Sequence, residues 1–234
     1  MPTAILDFEP LPPSRISTAE AAAPQIYRLL RERIVAVRLV PGERLSEAEV
    51  AKSLEVSRQP VREAFIKLSE DGLIEIRPQR GTFVRSISRK AVMDARFVRE
   101  AIEADTVRLV AANPAPALID ALRRQVAEQE AFDEADLRGF TAIDERFHQS
   151  LAEAIDKPFA WRVVRDVKLQ MDRVRNLSLM QFPKDRLTAQ HRAIVDAIAM
   201  ADPDAAERAM RRHLREILTD LPRIAEAHPD YFVA

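Results

Sequence analysis

The chain has four histidines and no cysteine, so a strong transition-metal site would have to be built from imidazole and carboxylate. Asp144 and His148 stand four residues apart in a stretch that also places Phe147 and Leu151 at helical spacing. On a helix such a pair shares one face with Cβ atoms ~6 Å apart, a separation that suits two ligands of one ion. His191 lies eleven residues before Asp202 and His213 eleven after it. If Asp202 turns a helical hairpin, both rings stand at the same height, ~16 Å from the turn at 1.5 Å per residue. A lone histidine is more often a core or surface residue bonded to a neighbour. Asp144, His148, His191 and His213 together read instead as ligands of a divalent metal ion, zinc, nickel or similar. One carboxylate and three neutral imidazoles leave such an ion with a net charge near +1 and, if octahedral, two open positions for a hydroxy- or keto-acid. Arginines on neighbouring helices would hold a second carboxylate. Arg99 is the first candidate, then Arg173 and Arg175, for which simple solvation is the alternative. His228, beside Pro229, reads as structural or exposed.

A second chemistry is carried by Val56 to Phe65. Arg58 and Arg62 are four apart and fall at the start of a helical pattern whose inward residues are Val61, Ala64, Phe65 and Leu68. Ser57 is placed as an N-cap, and Pro60 falls in the first turn, where its missing N–H costs nothing. Arginine bonds guanine O6 and N7 in bidentate fashion, and the N-terminal end of a recognition helix is where helix-turn-helix proteins meet base edges. Leu73 to Arg77 and Thr82 to Arg85 then read as two short strands. They flank Pro78-Gln79-Arg80-Gly81, a basic tip able to lie against a phosphate or in a minor groove. The bland reading, a small globular unit with solvated arginines, holds well for any single arginine and poorly for the ordered set.

Those residues need a scaffold. Ile26, Leu29, Leu30, Ile34 and Val37 recur at three- and four-residue spacing and predict a helix from Pro24 that ends before Pro41-Gly42. Ser46-Glu47-Ala48-Glu49 has the form of a capping box opening a short second helix with Val50, Ala51 and Leu54 inward. After Ser86-Ile87-Ser88, read as a linker, helical patterns cover about 89–112, 115–133, 136–155, 158–180, 184–201 and 203–227. The breaks fall at Asn113-Pro114, 133–136, Asp156-Lys157-Pro158, Phe182-Pro183 and Asp202-Pro203. The predicted architecture is therefore mainly α, with a three-helix unit carrying a hairpin wing at 24–87 and an all-α bundle of about six helices at 88–234. Residues 1–23 read as a flexible lead-in without a signal peptide's basic start and apolar stretch.

Charge supports that division. Residues 24–90 hold 14 Lys and Arg against 9 Asp and Glu, a net of +5, whereas residues 91–234 hold 21 against 25, a net of −4. An anionic polymer suits the first part only. No apolar run approaches the ~20 residues of a membrane span, so no membrane partner is expected, and the lack of cysteine fits a cytoplasmic address.

The stretch from Tyr27 to Val84 resembles the winged helix-turn-helix domain of the GntR family of bacterial transcription regulators. The likeness rests on Pro41-Gly42, Leu45-Ser46-Glu47, Val56-Ser57-Arg58, Pro60-Val61-Arg62-Glu63-Ala64, Leu68, Gly72-Leu73-Ile74 and Gly81-Thr82-Phe83-Val84. It implies that Arg58 and Arg62 contact bases or phosphates and that Gly81 lets the wing approach the backbone. Ser57, Gln59, Arg77, Gln79 and Arg80 complete the DNA-binding set. Val37 stands where the family usually has a glycine, which predicts a local change in that turn. Ala48 lies near the place of a second family arginine that has no counterpart here. Arg99-Glu100-Ala101-Ile102-Glu103, Asp144-Glu145-Arg146-Phe147-His148, Gln190-His191 and Met210-Arg211-Arg212-His213 resemble the FCD effector domain of the FadR-type branch. That resemblance implies metal ligation by the aspartate and the three histidines, with a small carboxylate completing the coordination. Gln190 replaces a frequent glutamate, which alters the polarity around the histidine.

The reading is a ligand-responsive regulator, a repressor and homodimer on two-fold operator DNA, switched by a small carboxylate effector; whether the effector releases or tightens DNA is left open. Two alternatives stand beside it. One is a metal-dependent enzyme with an accessory DNA-binding-like domain, which lacks an evident general acid or base. The other is a DNA-binding protein whose metal is purely structural.

Overall fold

The structure, a computed structural model, describes residues 16–131, 137–181 and 185–233. The predicted lead-in at 1–15 and the breaks at 133–136 and Phe182-Pro183 lie outside the described residues. The chain divides into two compact units, one ending at Ser86 and one beginning at Ile87.

The first unit packs α1 (Ala22–Val35), α2 (Glu47–Ser53) and α3 (Arg58–Glu70) around Ile26, Leu30, Ile34, Val50, Val61, Phe65 and Leu68. The lead-in expectation fails at its inner end. Ile16 packs against this core, and the Gln25 side chain bonds the backbone of Ser17 and Glu20, so α1 starts at Ala22 without a side-chain cap of its own. Ser46 caps α2 through its hydroxyl, which accepts from Glu49 N–H at 3.3 Å. Ser57 holds the N-cap position of α3 in extended backbone but makes no capping bond. Pro60, the third residue of α3, has no N–H, so one of the two backbone donors that a capping serine uses is missing. A three-stranded antiparallel sheet follows, ordered β1 (Arg44–Leu45), β3 (Gly81–Val84), β2 (Ile74–Arg77). The hairpin matches the sequence reading, whereas β1 is too short to show periodicity. At the wing tip Gln79 and Gly81 both have positive φ, and a Cβ on Gly81 would stand 3.0 Å from Arg44 Nε. Only glycine serves at position 81 without displacing that arginine.

The second unit is helical. α4 (Arg89–Ala112), α5 (Pro116–Glu130), α6 (Leu137–Ala154), α9 (Asp185–Ala199) and α10 (Pro203–Arg215) enclose one core that includes Val107, Leu122, Phe147, Ile194, Ile198, Met210 and Leu214. Two predicted helices are each divided. The 158–180 pattern becomes α7 (Pro158–Val167) and α8 (Leu169–Gln181), and the 203–227 pattern becomes α10 and α11 (Ile217–Ala227), with Pro222 inside the latter. The apolar period runs unbroken through Lys168 and Glu216, so spacing alone cannot show where a helix changes direction. The hairpin turn at Asp202 is as read: its carboxylate accepts from Ala205 N–H at 2.9 Å and Pro203 opens α10. The linker reading of 86–88 is corrected. Ile87 is fully buried, Ser88 caps α4, and β4 (Ile87–Ser88) pairs in parallel with β5 (Phe232–Val233). Among the described residues no helix is long and apolar enough to cross a membrane.

Candidate metal centre and nucleic-acid interface

The helical unit brings Asp144 and His148 of α6, His191 of α9 and His213 of α10 together, with one ligand atom of each within 4.8 Å of all the others. The three rings are buried, and Asp144 is nearly so. Each imidazole is oriented through Nδ1. His191 Nδ1 is 2.7 Å from Gln129 Oε1 of α5, and His213 Nδ1 is 3.1 Å from Gln190 Oε1. The Gln190 amide is itself fixed, since its Nε2 donates to Glu216 Oε2 at 2.7 Å. His148 Nδ1 lies 2.5 Å from Glu103 Oε2, close but off the best hydrogen-bond direction. With oxygen acceptors at Nδ1, the consistent tautomer carries its proton there and leaves Nε2 bare.

The bare nitrogens converge. His213 Nε2 and His148 Nε2 face each other at 3.1 Å, and His191 Nε2 is 3.5 Å from Asp144 Oδ1. His191 Nε2 and Asp144 Oδ1 are buried with no hydrogen-bond partner. Buried, unpaired lone pairs are costly, by about 1–3 kcal/mol each. Protonation is a poor remedy, because burial pushes His191 down to about 3 and His213 well below the usual imidazole range. Burial alone would raise the Asp144 carboxyl, but the Arg175 guanidinium beside it holds it well below the usual carboxylate range. Four electron-pair donors that repel one another and resist protons fit a cation.

The three arginines considered as anion holders are all enclosed, so the solvated alternative for Arg173 and Arg175 is corrected. Arg99 is buried and donates through Nε to Glu103 Oε1 at 2.6 Å, so it steadies the carboxylate beside His148. Arg175 Nη1 stands 3.8 Å from Asp144 Oδ1, and Arg175 also lines a narrow surface cleft with Arg186, Ser178, Glu216 and Asp220. Arg173 is fully buried and donates to Gln170 Oε1 at 3.3 Å; two positions from Arg175, it projects from another face of α8. Gln129 and Arg186 carried no signal in the sequence, being 62 residues from His191 and 30 from Glu216. Glu103 stood in the sequence only as the last residue of the Arg99–Glu103 stretch that carries the FCD resemblance.

In the first unit Arg58, Gln59 and Arg62 project from the start of α3 and are exposed. Gln59 Nε2 donates to Glu63 Oε1 at 3.0 Å, and both arginines reach Glu47 of α2. On the wing, Arg77 is held by Glu75 at 3.0 Å and lies over the Phe83 ring at 4.8 Å, while Gln79 and Arg80 stand exposed at the tip.

A winged helix-turn-helix unit followed by a helical unit with a buried aspartate–histidine cluster defines a two-domain transcription regulator. Residues 22–84 match the family described as bacterial regulatory proteins of the gntR family, and residues 94–216 match the FCD domain. The chain is 40% identical over 221 residues to the HTH-type transcriptional repressor RspR of Escherichia coli (strain K12), covering 94% of this chain and 97% of that protein. Among solved structures, a GntR transcriptional regulator from Rhodococcus sp. RHA1 is similar with a TM-score of 0.70 and 26% identity, over 88% of this chain and 98% of that one. E. coli McbR/YncC shares the fold, with a TM-score of 0.73 at 16% identity over 87% and 98%. The chain belongs to the GntR family of transcription regulators, in the branch that carries an FCD domain. It is accordingly a regulator and not an enzyme.

Proposed function

We propose that the chain is a repressor whose grip on operator DNA is set by a small carboxylate bound at a divalent metal ion in the helical unit. The observation that carries this reading is the convergence of bare imidazole nitrogens and an unpaired carboxylate oxygen in a buried cluster. Asp144, His148, His191 and His213 would hold the ion, zinc, nickel or similar. The ion supplies Lewis acidity toward a hydroxy- or keto-acid. Arg175 supports that assignment, because its guanidinium adjoins Asp144 and the residue also borders the cleft. Arg99 acts through Glu103, and Arg173 is retained as a charge deeper in the helical unit that favours an anion.

DNA is read by Ser57, Arg58, Gln59 and Arg62 on α3 and by Arg77, Gln79, Arg80 and Gly81 on the wing. A homodimer on a two-fold operator gives each recognition helix a half-site. A coupling of ~1–3 kcal/mol between effector and DNA changes operator affinity roughly 5- to 150-fold, enough for a switch.

The test has two arms. Metal analysis of the purified protein is expected to give stoichiometric divalent ion that is lost in His191→Ala and sharply reduced in Asp144→Asn; full occupancy in both variants would rule out these ligands. Arg58→Ala and Arg62→Ala are expected to weaken binding to a selected duplex about 10-fold or more, at ~1–3 kcal/mol per bidentate base contact, with the thermal midpoint unchanged. Unaltered affinity in both would remove α3 from the interface.

A further inference from the structure

Glu47 is the first residue of α2, and its acidity there favours the helix dipole. Its side chain reaches across to α3, where Glu47 Oε2 lies 3.4 Å from Arg58 Nη2 and 3.3 Å from Arg62 Nη2, while Oε1 lies 3.4 Å from Arg62 Nε. One carboxylate is thus shared by two guanidinium groups. The carboxylate is mostly covered, at 23% exposure, whereas the arginines remain 63% and 55% exposed. The contact therefore holds one edge of each guanidinium and leaves the remaining N–H groups facing outward.

Ion pairs at this exposure add little to folding stability, so the consequence lies in where charge and donors are placed. Two free arginines on long side chains would present a mobile charge of +2 that finds phosphates as readily as bases. The shared carboxylate lowers the formal charge of the trio to +1 and restricts the rotamers of both side chains. Phosphate contact supplies most non-specific affinity, and base-edge contact supplies discrimination. An acid that lowers the charge while aiming the donors moves the balance from the first to the second.

Resting on the reading that α3 contacts DNA, we infer that Glu47 is a specificity-determining residue, which positions Arg58 and Arg62 for base edges and suppresses their capture by non-target phosphates. Its side chain need not touch a base to do this.

The experiment compares wild type, Glu47→Gln and Glu47→Asp on two duplexes across a salt series: a site selected from a random pool by the wild-type protein, and a scrambled duplex of the same length. Glu47→Gln is expected to raise affinity for the scrambled duplex about 10-fold at low salt and to steepen the dependence of log K on log salt by about one, the signature of one added phosphate contact. Affinity for the selected site should rise by less, so that the ratio of the two falls about 10-fold. Glu47→Asp keeps the charge but draws it back by one methylene, and should restore the salt slope without restoring the ratio. An unchanged ratio in Glu47→Gln, with selective binding still lost in Arg62→Ala, would overturn this inference and leave the interface standing. Recovery of the full ratio by aspartate would assign the effect to charge alone and overturn the positioning role. Selective binding that survives both Arg58→Ala and Arg62→Ala would overturn the interface reading and this inference together. Circular dichroism and the thermal midpoint establish that α2 persists in each variant.

Discussion

Val37 has φ of 54°, in the left-handed region, where a β-branched side chain is least at ease. It stands there because α1 ends in a Schellman motif: Arg38 N–H reaches Arg33 carbonyl at 2.9 Å and Val37 N–H reaches Ile34 carbonyl at 3.1 Å. α2, α3, α6 and α9 close the same way, with Glu55, Gly72, Asp156 and Ala201 at the left-handed position. Of these five helices, only α3 ends on glycine. The turn at Val37 is thus a Schellman close in which a valine holds the left-handed position and bears the strain. Val37→Gly should stabilise the protein by about 1 kcal/mol, which urea denaturation would register as a higher midpoint at unchanged slope. A lower midpoint would mean that the valine side chain contributes more through packing than its backbone costs. At the same scale, the four metal-ligand candidates were legible because Asp144 and His148 obey helical spacing and His191 and His213 stand symmetrically about the turn at Asp202. Gln129 and Glu103 were not, because a hydrogen-bond partner on another helix has no spacing rule.

Between elements, Glu100 of α4 shows what spacing cannot convey. Its side chain is almost covered, and it accepts bonds from Arg96 on its own helix, from Arg211 at 3.0 Å and from Arg215 Nε at 2.9 Å, both on α10. α4 and α10 are thereby joined by charge next to the helix turn that bears His213. The Arg215 hydrogen bond, then Arg211, hold the Glu100 carboxyl below its ordinary value of 4.5 against the opposing effect of burial. A carboxyl lowered on folding stabilises the native state above the unfolded value and loses that contribution as pH falls through the folded one. Glu100→Gln should thus cost about 1–2 kcal/mol at pH 7, discounted because Arg215 is half-exposed, and the gap from wild type should close below pH 4.5. Equal gaps at pH 7 and pH 3.5 would show that packing, and not the ionised carboxylate, joins the helices. The helix breaks at Lys168 and Glu216 belong to this scale too, since the apolar period continues through them and only the packing of α8 and α11 reveals them.

At the level of the whole molecule, each unit has its own core, and the four candidate metal ligands belong to the second unit alone. Ligand that binds only the folded form stabilises it by about 2.7 kcal/mol at a hundredfold excess over Kd. Divalent metal added to protein stripped by chelator should therefore raise hydrogen-exchange protection in α4, α6, α9 and α10 and leave the cores of α1 and α3 at their former protection. An equal gain in both units would contradict a metal site confined to the helical one.

The sequence by itself determined the two-unit division, the wing, the turn at Asp202 and the helical register that sets Asp144 with His148 and His191 opposite His213. These follow from local rules: 3.6-residue periodicity, capping chemistry and the restrictions of proline and glycine. Tertiary structure alone decided that Ile87 leaves the linker to pair with Phe232, that Ser57 lacks a capping partner, and that Arg99 serves Glu103. It also set Glu47 between Arg58 and Arg62. Each of these depends on which distant group arrives within hydrogen-bond distance, and that is fixed by how whole faces pack, not by the order of residues along any one helix.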